Sequence, residues 1–360
     1  YNRGHAAKWL INHEWRNTDV FYPTWLDSWE GDGFIARIES KRILRKIRSF
    51  SVPVVDVLGT TRDPSIPLVH VDDTAISAMA AEHLLDRGFR YFAYIGFAWP
   101  NWAQRRRDAF VGAVGEAGYR CGVHAWPAGA DMSWSWGEEQ NTVARWLRAL
   151  PKPVGIMLCS DSLSPMVLEA CRRGGLSVPD EIAVVGVDND ELMCETSEPP
   201  LSSVVPDDQA VGYEAAHLLD RLMQGETWNG ENIFVRPKGV VTRLSSDVLA
   251  IEDPVVAAAV GFIREHALSN LTVDDVVSAV PVCRTLLQRR FRNALGRSLH
   301  DEILRVRLEH ARFLLEESNM PLWRVAEKSG FKPQEYMGVV FKKHLRQTPL
   351  QYRKVSLSDT

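Results

Sequence analysis

The 360-residue sequence has few cysteines and no long apolar run. A membrane-spanning helix needs about 18 consecutive, mainly apolar residues, so a membrane-spanning role is excluded. The five cysteines are far apart and form neither a CxxC pair nor a spacing typical of zinc sites. This pattern excludes a disulfide framework and favours a reducing compartment. We therefore expect a cytoplasmic protein with no metal site.

Motifs of the common enzyme classes are also absent. The sequence has no GxGxxG after a predicted strand and no GxxxxGK[ST] phosphate loop. It contains neither a GxSxG nucleophile motif nor an HExxH metal motif. We therefore predict no catalytic residue and no cofactor, and we expect a binding function in place of catalysis.

Charge is distributed unevenly along the chain. Residues 1–252 contain 25 basic and 34 acidic side chains, whereas residues 253–354 contain 17 basic and 11 acidic ones. An acidic body joined to a basic part is typical of proteins in which one domain binds an anionic polymer. Random variation of surface charge is the alternative interpretation.

Short apolar runs alternate with amphipathic helical patterns over the first 243 residues. This alternation predicts βαβ units with parallel sheets, and the continuous apolar strands predict helices on both faces of the sheets. The predicted strands are 33–38, 52–58, 68–71, 91–97, 154–159 and 182–187, followed by the segment 201–205 and closing strands at 233–236 and 240–244. The predicted helices are 39–49, 74–88, 103–118, 135–150, 162–174 and 208–224.

Polar and aromatic side chains follow three of these strands. Ligands of open α/β sheets bind beyond the carboxyl ends of the strands, where Asp161, Asp188 and Arg106 are expected. Carboxylates accept hydrogen bonds from adjacent hydroxyls, and a guanidinium donates them in a planar fork. The convergence favours a polyhydroxyl ligand. Taken singly, Asp161 could be a helix cap and Arg106 a surface residue.

Two stretches resemble the effector domain of LacI-type regulators. They read VDDTAISAMAAEHLLDRGFRYFAYIG (71–96) and DSLSPMVLEACRRGGLSVPDEIAVVGVDND (161–190). The resemblance implies a periplasmic-binding-protein-like fold of two α/β lobes with a ligand cleft, and a first strand that would precede Tyr1. It implies that Arg106 and Asp188 contact the ligand, that Asp161 lines the cleft and that Trp136 stacks on the ligand. The predicted ligand-binding residues are Arg106, Asp188, Asp161, Trp136, Asn189, Trp102 and Asp72.

The sequence departs from the LacI-type pattern at two places. Pro206 stands where that family often has Gln, which removes one polar ligand contact. Asp72 and Asp73 stand in place of the family's Asp-Asn pair. The first departure leaves open that the cleft is degenerate or binds another ligand.

The pattern becomes wholly helical after a short polar segment, 244–253, which we interpret as a linker. Pro254 directly after Asp253 is typical of a helix start. Thr272 and Asp275 approximate a capping box in front of a short helix. The helices predicted from there onward are 273–279, 283–294, 299–317, 322–328 and 333–343.

Two of these helices, 283–294 and 333–343, each have an apolar and a polar face. The polar side chains can reach guanine, adenine and phosphate. The predicted DNA-contacting residues are Arg284, Thr285, Gln288, Arg289, Arg292, Gln334, Glu335, Gly338, Lys342 and Lys343. Two helix-turn-helix units joined by a rigid helix predict two reading helices in successive major grooves, about 34 Å apart. A plain helical bundle is the alternative.

This helical part resembles the AraC/XylS family of DNA-binding domains. The resemblance lies in RTLLQRRFRNALGRSLHDEI (284–303) and GFKPQEYMGVVFKKHLRQTPLQYRK (330–354). A LacI-type effector domain followed by an AraC-type domain resembles the XylR-type activators of D-xylose utilisation. This implies an effector domain over 1–243, a DNA-binding domain over 254–354 and a tail over 355–360. It also implies D-xylose as effector, a double-stranded DNA operator, a homodimer and a contact with RNA polymerase, in the cytoplasm at the nucleoid.

Two other functions remain open at this point. An orphan AraC-type regulator with a degenerate cleft would account for Pro206. A sugar-processing enzyme fused to a DNA-binding domain would need an acid/base pair or a phosphate loop, and the sequence has neither.

Overall fold

The computed structural model describes residues 24–61, 63–126, 136–248, 250–251 and 253–358. The chain forms two units, one of residues 1–85 and 89–248 and one of residues 86–88 and 249–360. The segment 244–253, which the sequence pattern suggests is a linker, includes residues 249 and 252, and these two lie outside the described residues.

The first unit contains ten strands among its described residues. They are β1 (Phe34–Ala36), β2 (Val54–Asp56), β3 (Val69–Val71), β4 (Tyr91–Phe97), β5 (Cys121–Trp126), β6 (Val154–Leu158), β7 (Ile182–Val187), β8 (Ser202–Val205), β9 (Ile233–Val235) and β10 (Gly239–Val241). Its helices are α1 (Lys41–Arg48), α2 (Asp73–Asp86), α3 (Asn101–Glu116), α4 (Trp136–Ala149), α5 (Ser164–Gly174), α6 (Glu191–Thr196) and α7 (Asp208–Met223).

These strands build two lobes. The larger sheet has the order β10-β8-β7-β6-β4-β5, and every residue of β6 and β7 is buried. In the other lobe β1 pairs with β2 and β3 pairs with β9, while a bridge from Asp56 to Leu68 links the two pairs. Helix α7 packs against β1, β2, β3 and β9. The predicted α/β fold of two lobes is confirmed.

Two strands of the larger sheet have features that the sequence interpretation did not give. Strand β5 was not predicted, because Cys121, Gly122 and His124 interrupt its apolar pattern at the edge of the sheet. Strand β10 runs antiparallel to β8, whereas the pattern predicted parallel sheets in βαβ units and gave no direction for the closing strands. An antiparallel edge strand on a parallel sheet is common, and the apolar pattern does not encode strand direction.

The second unit is helical. Its helices are α8 (Pro254–His266), α9 (Val273–Ser278), α10 (Arg284–Leu295), α11 (Leu299–Glu317), α12 (Leu322–Lys328), α13 (Gln334–Leu345) and α14 (Pro349–Ser358). Thr272 and Asp275 form the predicted capping box of α9, and Ser298 and Asp301 form a second one at α11. Helix α14 includes residues 355–358 of the predicted tail.

Helix α11 contributes to both hydrophobic cores of this unit. Leu299 and Ile303 pack in the first core with α8, α9 and α10. Leu304, Ala311 and Leu315 pack in the second core with α12 and α13. Each core thus supports one helix-turn-helix unit, and α11 connects them. Over the described ranges, no helix combines the length and apolar character needed to cross a bilayer.

Candidate ligand cleft and nucleic-acid interface

The candidate cleft lies where the larger sheet changes its winding direction. After β4 the chain adds β5 on one side of that strand and β6 on its other side. In open α/β sheets ligands bind beyond the carboxyl ends of strands at such a switch point. The segments that follow β4, β6 and β7 carry Arg106, Ser160 and Asp188.

Arg106 lies on the buried face of α3. Its neighbours on that face are Ala103, Phe110 and Val114, so the helical pattern places a charge where an apolar side chain is expected. The guanidinium donates to Asp73 Oδ1 at 2.9 Å and to the Cys159 carbonyl at 2.6 Å. Burial lowers the pKa of Arg106, but the charges of Asp188 and Asp73 outweigh it and leave the pKa above its ordinary value.

Asp73 is the residue of the cleft that sequence reasoning missed. It is buried at the start of α2 and accepts from both Arg105 and Arg106 at 2.9 Å. Burial raises its pKa, yet the contact with His70 and the charge of Arg106 hold the pKa below its ordinary value. Asp73 thus orients the guanidinium group of Arg106. The doublet Asp72-Asp73 was its signal, and only Asp72 was selected.

Asp188 faces Arg106 from the end of β7. Its carboxylate lies 3.6 Å from Arg106 Nη1 and accepts from Ser160 Oγ at 2.8 Å. The side chain is 42% exposed, so an oxygen remains accessible to a ligand. Removal from water raises the pKa of Asp188, and the positive charge of Arg106 opposes that shift.

Trp102 joins this group from the first turn of α3. Its ring lies 4.9 Å from the Arg106 guanidinium carbon, a cation–π contact that restricts both side chains. The structure therefore brings together Trp102, Arg106 and Asp188 of the predicted ligand residues. A planar fork, an accessible carboxylate and an aromatic face are the groups that bind a polyhydroxyl ring.

Two of the other predicted ligand residues, Asp72 and Asn189, already have hydrogen-bond partners within the protein. Asp72 Oδ1 accepts from the amides of Thr74 and Ala75, so Asp72 caps α2. Asn189 Oδ1 accepts from Arg243 at 3.0 Å. Trp136 is the first residue of α4, but its side chain lies outside the described residues.

Asp161 is buried behind the turn that carries Asp188. Its oxygens accept from Ser203 Oγ at 2.8 Å and from the Asp190 amide at 2.9 Å. The alternative interpretation of Asp161 as a helix cap is wrong, because Ser160 caps this turn by accepting from the Ser162 amide.

The second unit exposes the predicted DNA-contacting side chains. In α10 the buried residues are Leu287 and Phe291, and in α13 they are Met337, Val340 and Phe341. The exposed residues on the polar faces are Arg284, Thr285, Gln288, Arg289, Arg292, Gln334, Glu335, Lys342 and Lys343. Gly338 is half-buried, and its position has open space around it.

Arg284 has an ion-pair partner within the first helix-turn-helix. Its Nη1 lies 2.5 Å from Asp274 of α9, with side chains 52% and 77% exposed. An exposed ion pair contributes at most about 1 kcal/mol. The pair is therefore weak, and the Arg284 guanidinium stays exposed at the surface.

Comparison with known proteins follows the division into two units. Residues 81–246 match a periplasmic binding protein-like domain, and residues 277–355 match a helix-turn-helix domain. The xylose operon regulatory protein of Escherichia coli (strain K12) is 34% identical over 338 residues, which cover 92% of this chain and 86% of that protein. The chain belongs to the family of xylose operon regulatory proteins. It is a DNA-binding transcription regulator.

A second xylose operon regulator and one solved structure are also similar to this chain over most of its length. The xylose operon regulatory protein of Haemophilus influenzae (strain Rd) is 30% identical over 329 residues, covering 89% of this chain and 84% of that protein. The structure of the xylose-binding transcription activator xylR matches with a TM-score of 0.57 and 34% identity. That match covers 91% of this chain and 87% of the solved one.

Proposed function

We propose that the effector of this regulator is D-xylose and that its binding activates genes of pentose utilisation. The observation that carries the proposal is the Arg106–Asp188 pair beside Trp102, located at the switch point of the sheet. Relatives of the same family are named for xylose, and one is described as xylose-binding. Arg106, Asp188 and Trp102 are the proposed ligand contacts, with Asn189, Asp72 and Trp136 as further members of the cleft.

A pentose fits the chemistry of this group. Arg106 can donate from its guanidinium to two adjacent hydroxyls, and Asp188 can accept from the hydroxyls on the other side. Trp102 offers an apolar face to the C–H side of the ring. A sugar that binds one arrangement of the lobes more tightly shifts the population of the regulator toward that arrangement.

Isothermal titration calorimetry of the full chain with D-xylose, L-arabinose, D-ribose and D-glucose tests the effector. We expect saturable binding of D-xylose and weaker binding of the other sugars. Tighter binding of another sugar would replace D-xylose as the effector. Absence of heat with all four sugars would favour an orphan regulator, for which Pro206 is the supporting residue.

We further propose that the linker lies at 244–253 and that the sequence after it carries the DNA contacts. The proposed partner is a double-stranded operator, which a homodimer would bind through paired half-sites. Activation would then require a contact with RNA polymerase, and the protein would act in the cytoplasm at the nucleoid.

Base-reading and phosphate-binding residues should respond differently to alanine substitution. Arg284→Ala should relax the preference at one operator position by ~1–3 kcal/mol, because arginine can form a bidentate contact with guanine. Lys342→Ala should weaken binding to all sequences alike and reduce the salt slope by about one, because a lysine at a phosphate releases a counterion. Binding to a library of single-base operator variants at two salt concentrations measures both effects.

Arg290→Ala is the matched control for Arg284. Arg290 lies on the same helix, but its guanidinium faces Asp253 at 3.6 Å. We expect the control to leave the base preference unchanged. If Arg284→Ala weakens all operator variants equally while Lys342→Ala changes the preferred base, the assignment of the two roles is reversed.

A further inference from the structure

The turn after β7 has an unusual backbone conformation. Asp188 has a φ of 111° and Asn189 a φ of 50°, so two consecutive non-glycine residues have positive φ. Residues other than glycine rarely adopt a positive φ. Such backbone strain persists only where the surrounding structure enforces it. The strained residues include Asp188, the carboxylate that faces Arg106.

Three successive amides of this turn have fixed partners. The Asp188 amide donates to the Val204 carbonyl at 3.1 Å, and the Asn189 amide donates to Ser203 Oγ at 3.0 Å. The Asp190 amide donates to Asp161 Oδ2 at 2.9 Å. Since Ser203 itself donates to Asp161, two of the three bonds depend on that carboxylate.

The space for Asp161 is also specific. A Cβ on Gly186 would overlap the Asp161 carboxylate, so the glycine in β7 leaves room for it. Asp161 is 1% exposed and its oxygens already have three donors, namely Ser203, the Asp190 amide and Cys194 Sγ. Because Asp161 is almost completely buried and both of its oxygens already accept hydrogen bonds, its carboxylate is not exposed to a sugar in the cleft.

The charges around Asp161 come from the elements packed against it. Asp188 and Asp190 lie on the turn, Cys194 lies on α6, and Arg243 reaches the turn through Asn189. Burial, followed by the charge of Asp188, raises the pKa of Asp161 from 3.8 to about 7, although Ser203 and the Asp190 amide oppose the shift. The carboxyl thus titrates near neutral pH in the protein without ligand.

We propose that Asp161 is a positioning residue that sets sugar affinity without touching the sugar. Its ionised carboxylate holds the Asp188–Asp190 turn in the strained conformation, both directly and through Ser203. This turn conformation directs the Asp188 carboxylate toward the ligand. This inference rests on the proposed sugar-binding function and deepens it.

Calorimetric titration with D-xylose compares the full-length wild type with Asp161→Asn, Ser203→Ala and the double variant. Asp161→Asn places an amide NH₂ against neighbouring donors, and Ser203→Ala removes the acceptor of the Asn189 amide. Each single change should weaken binding about ten-fold, and the double variant should be only slightly worse, because both residues act on one turn. Asp180→Asn, at the exposed amino end of β7, is the charge-matched control and should bind as the wild type does.

The pH dependence separates positioning from mere packing. Wild-type affinity should fall as the pH is lowered from about 8 to about 6, because protonation of Asp161 removes an acceptor from the turn. The step near pH 7 should be absent from Asp161→Asn. Its persistence in that variant would overturn the proposal, as would a normal affinity of Asp161→Asn at every pH.

Hydrogen exchange of the free protein provides a readout without sugar. The peptide that contains residues 188–190 should exchange about ten-fold faster in Asp161→Asn and in Ser203→Ala than in the wild type. If Asp161→Asn alone weakens xylose binding while Ser203→Ala changes neither exchange nor affinity, Asp161 contacts the sugar directly and the proposal is wrong. If the wild type binds no sugar but exchange rises in both variants, the function proposed above fails and the positioning role stands.

Discussion

Asp188→Ala should weaken D-xylose binding at least about thirty-fold, because the sugar loses a carboxyl acceptor that faces the buried Arg106. The substitution also removes a nearby carboxylate from that guanidinium, which further disturbs the proposed ligand contacts. DNA affinity without sugar should remain close to that of the wild type, since Asp188 belongs to the first unit. Calorimetry with D-xylose and a fluorescence-anisotropy assay with operator DNA measure the two quantities.

Asp180→Ala is the matched control for this experiment. Asp180 is an exposed carboxylate before the amino end of the same strand, β7, whereas Asp188 follows its carboxyl end. Six strand residues separate the two ends by about 20 Å. We expect Asp180→Ala to bind sugar normally. If Asp188→Ala also binds normally, the ligand site lies elsewhere.

Glu302→Ala should lower the free energy of unfolding of the second unit by about 3–5 kcal/mol, because it breaks a buried ion-pair network. Glu302 is 0% exposed and accepts from Arg297 at 2.6 Å and from Arg305 at 3.0 Å. In the alanine variant each guanidinium loses its buried acceptor, although both keep Asp86 as a partner. Urea unfolding of the full chain, followed by far-ultraviolet circular dichroism, measures the loss of helical stability.

Glu309→Ala tests whether burial decides the size of this effect. Glu309 pairs with the same Arg305 at 3.1 Å, but its side chain is 72% exposed. An exposed pair contributes about 0–1 kcal/mol, so this variant should unfold nearly as the wild type does. Equal losses for Glu302→Ala and Glu309→Ala would contradict the argument from burial.

The same network predicts how acid affects the second unit. Burial raises the pKa of Glu302, but its bonds and charges with Arg305 and Arg297 hold the pKa below the ordinary 4.5. The stabilisation is thus present above the ordinary pKa and is lost as the pH falls through the lowered value. The advantage of the wild type over Glu302→Ala should therefore shrink in acid.

The sequence predicted the elements whose apolar pattern is unbroken. Strands β4 and β7 and helices α11 and α12 were predicted residue for residue, because their buried positions follow a single period. Strand β5 was not predicted, because its residues are partly exposed at the sheet edge and do not form a continuous apolar run. The short helix α6 was also missed, since one turn and a half capped by Asp190 gives too few apolar positions to define a period.

The candidate site shows a similar limit. Arg106, Trp102 and Asp188 could be selected because they are unusual side chains at strand ends. Their supporting groups could not be selected in the same way. Asp73 and Ser203 are ordinary residues in a helix and a strand, and their roles depend on pairings across 33 and 42 positions of the chain. The Asp72-Asp73 doublet was visible in the sequence, but only the long-range contact shows which of the two carboxylates pairs with Arg106.

Helix α11 has a consequence for how insertions would act on this regulator. It is 19 residues long, about 28 Å, and its side chains pack in both hydrophobic cores of the second unit. One inserted residue between Ile303 and Leu304 would rotate everything beyond it by about 100° around the helix axis. The proposed reading helices α10 and α13 would then face different sides of the duplex, and contacts that cross this point, such as that of Val306 with the first core, would be lost. If α10 and α13 read DNA as proposed, the phase of α11, more than its length, would align them with successive major grooves.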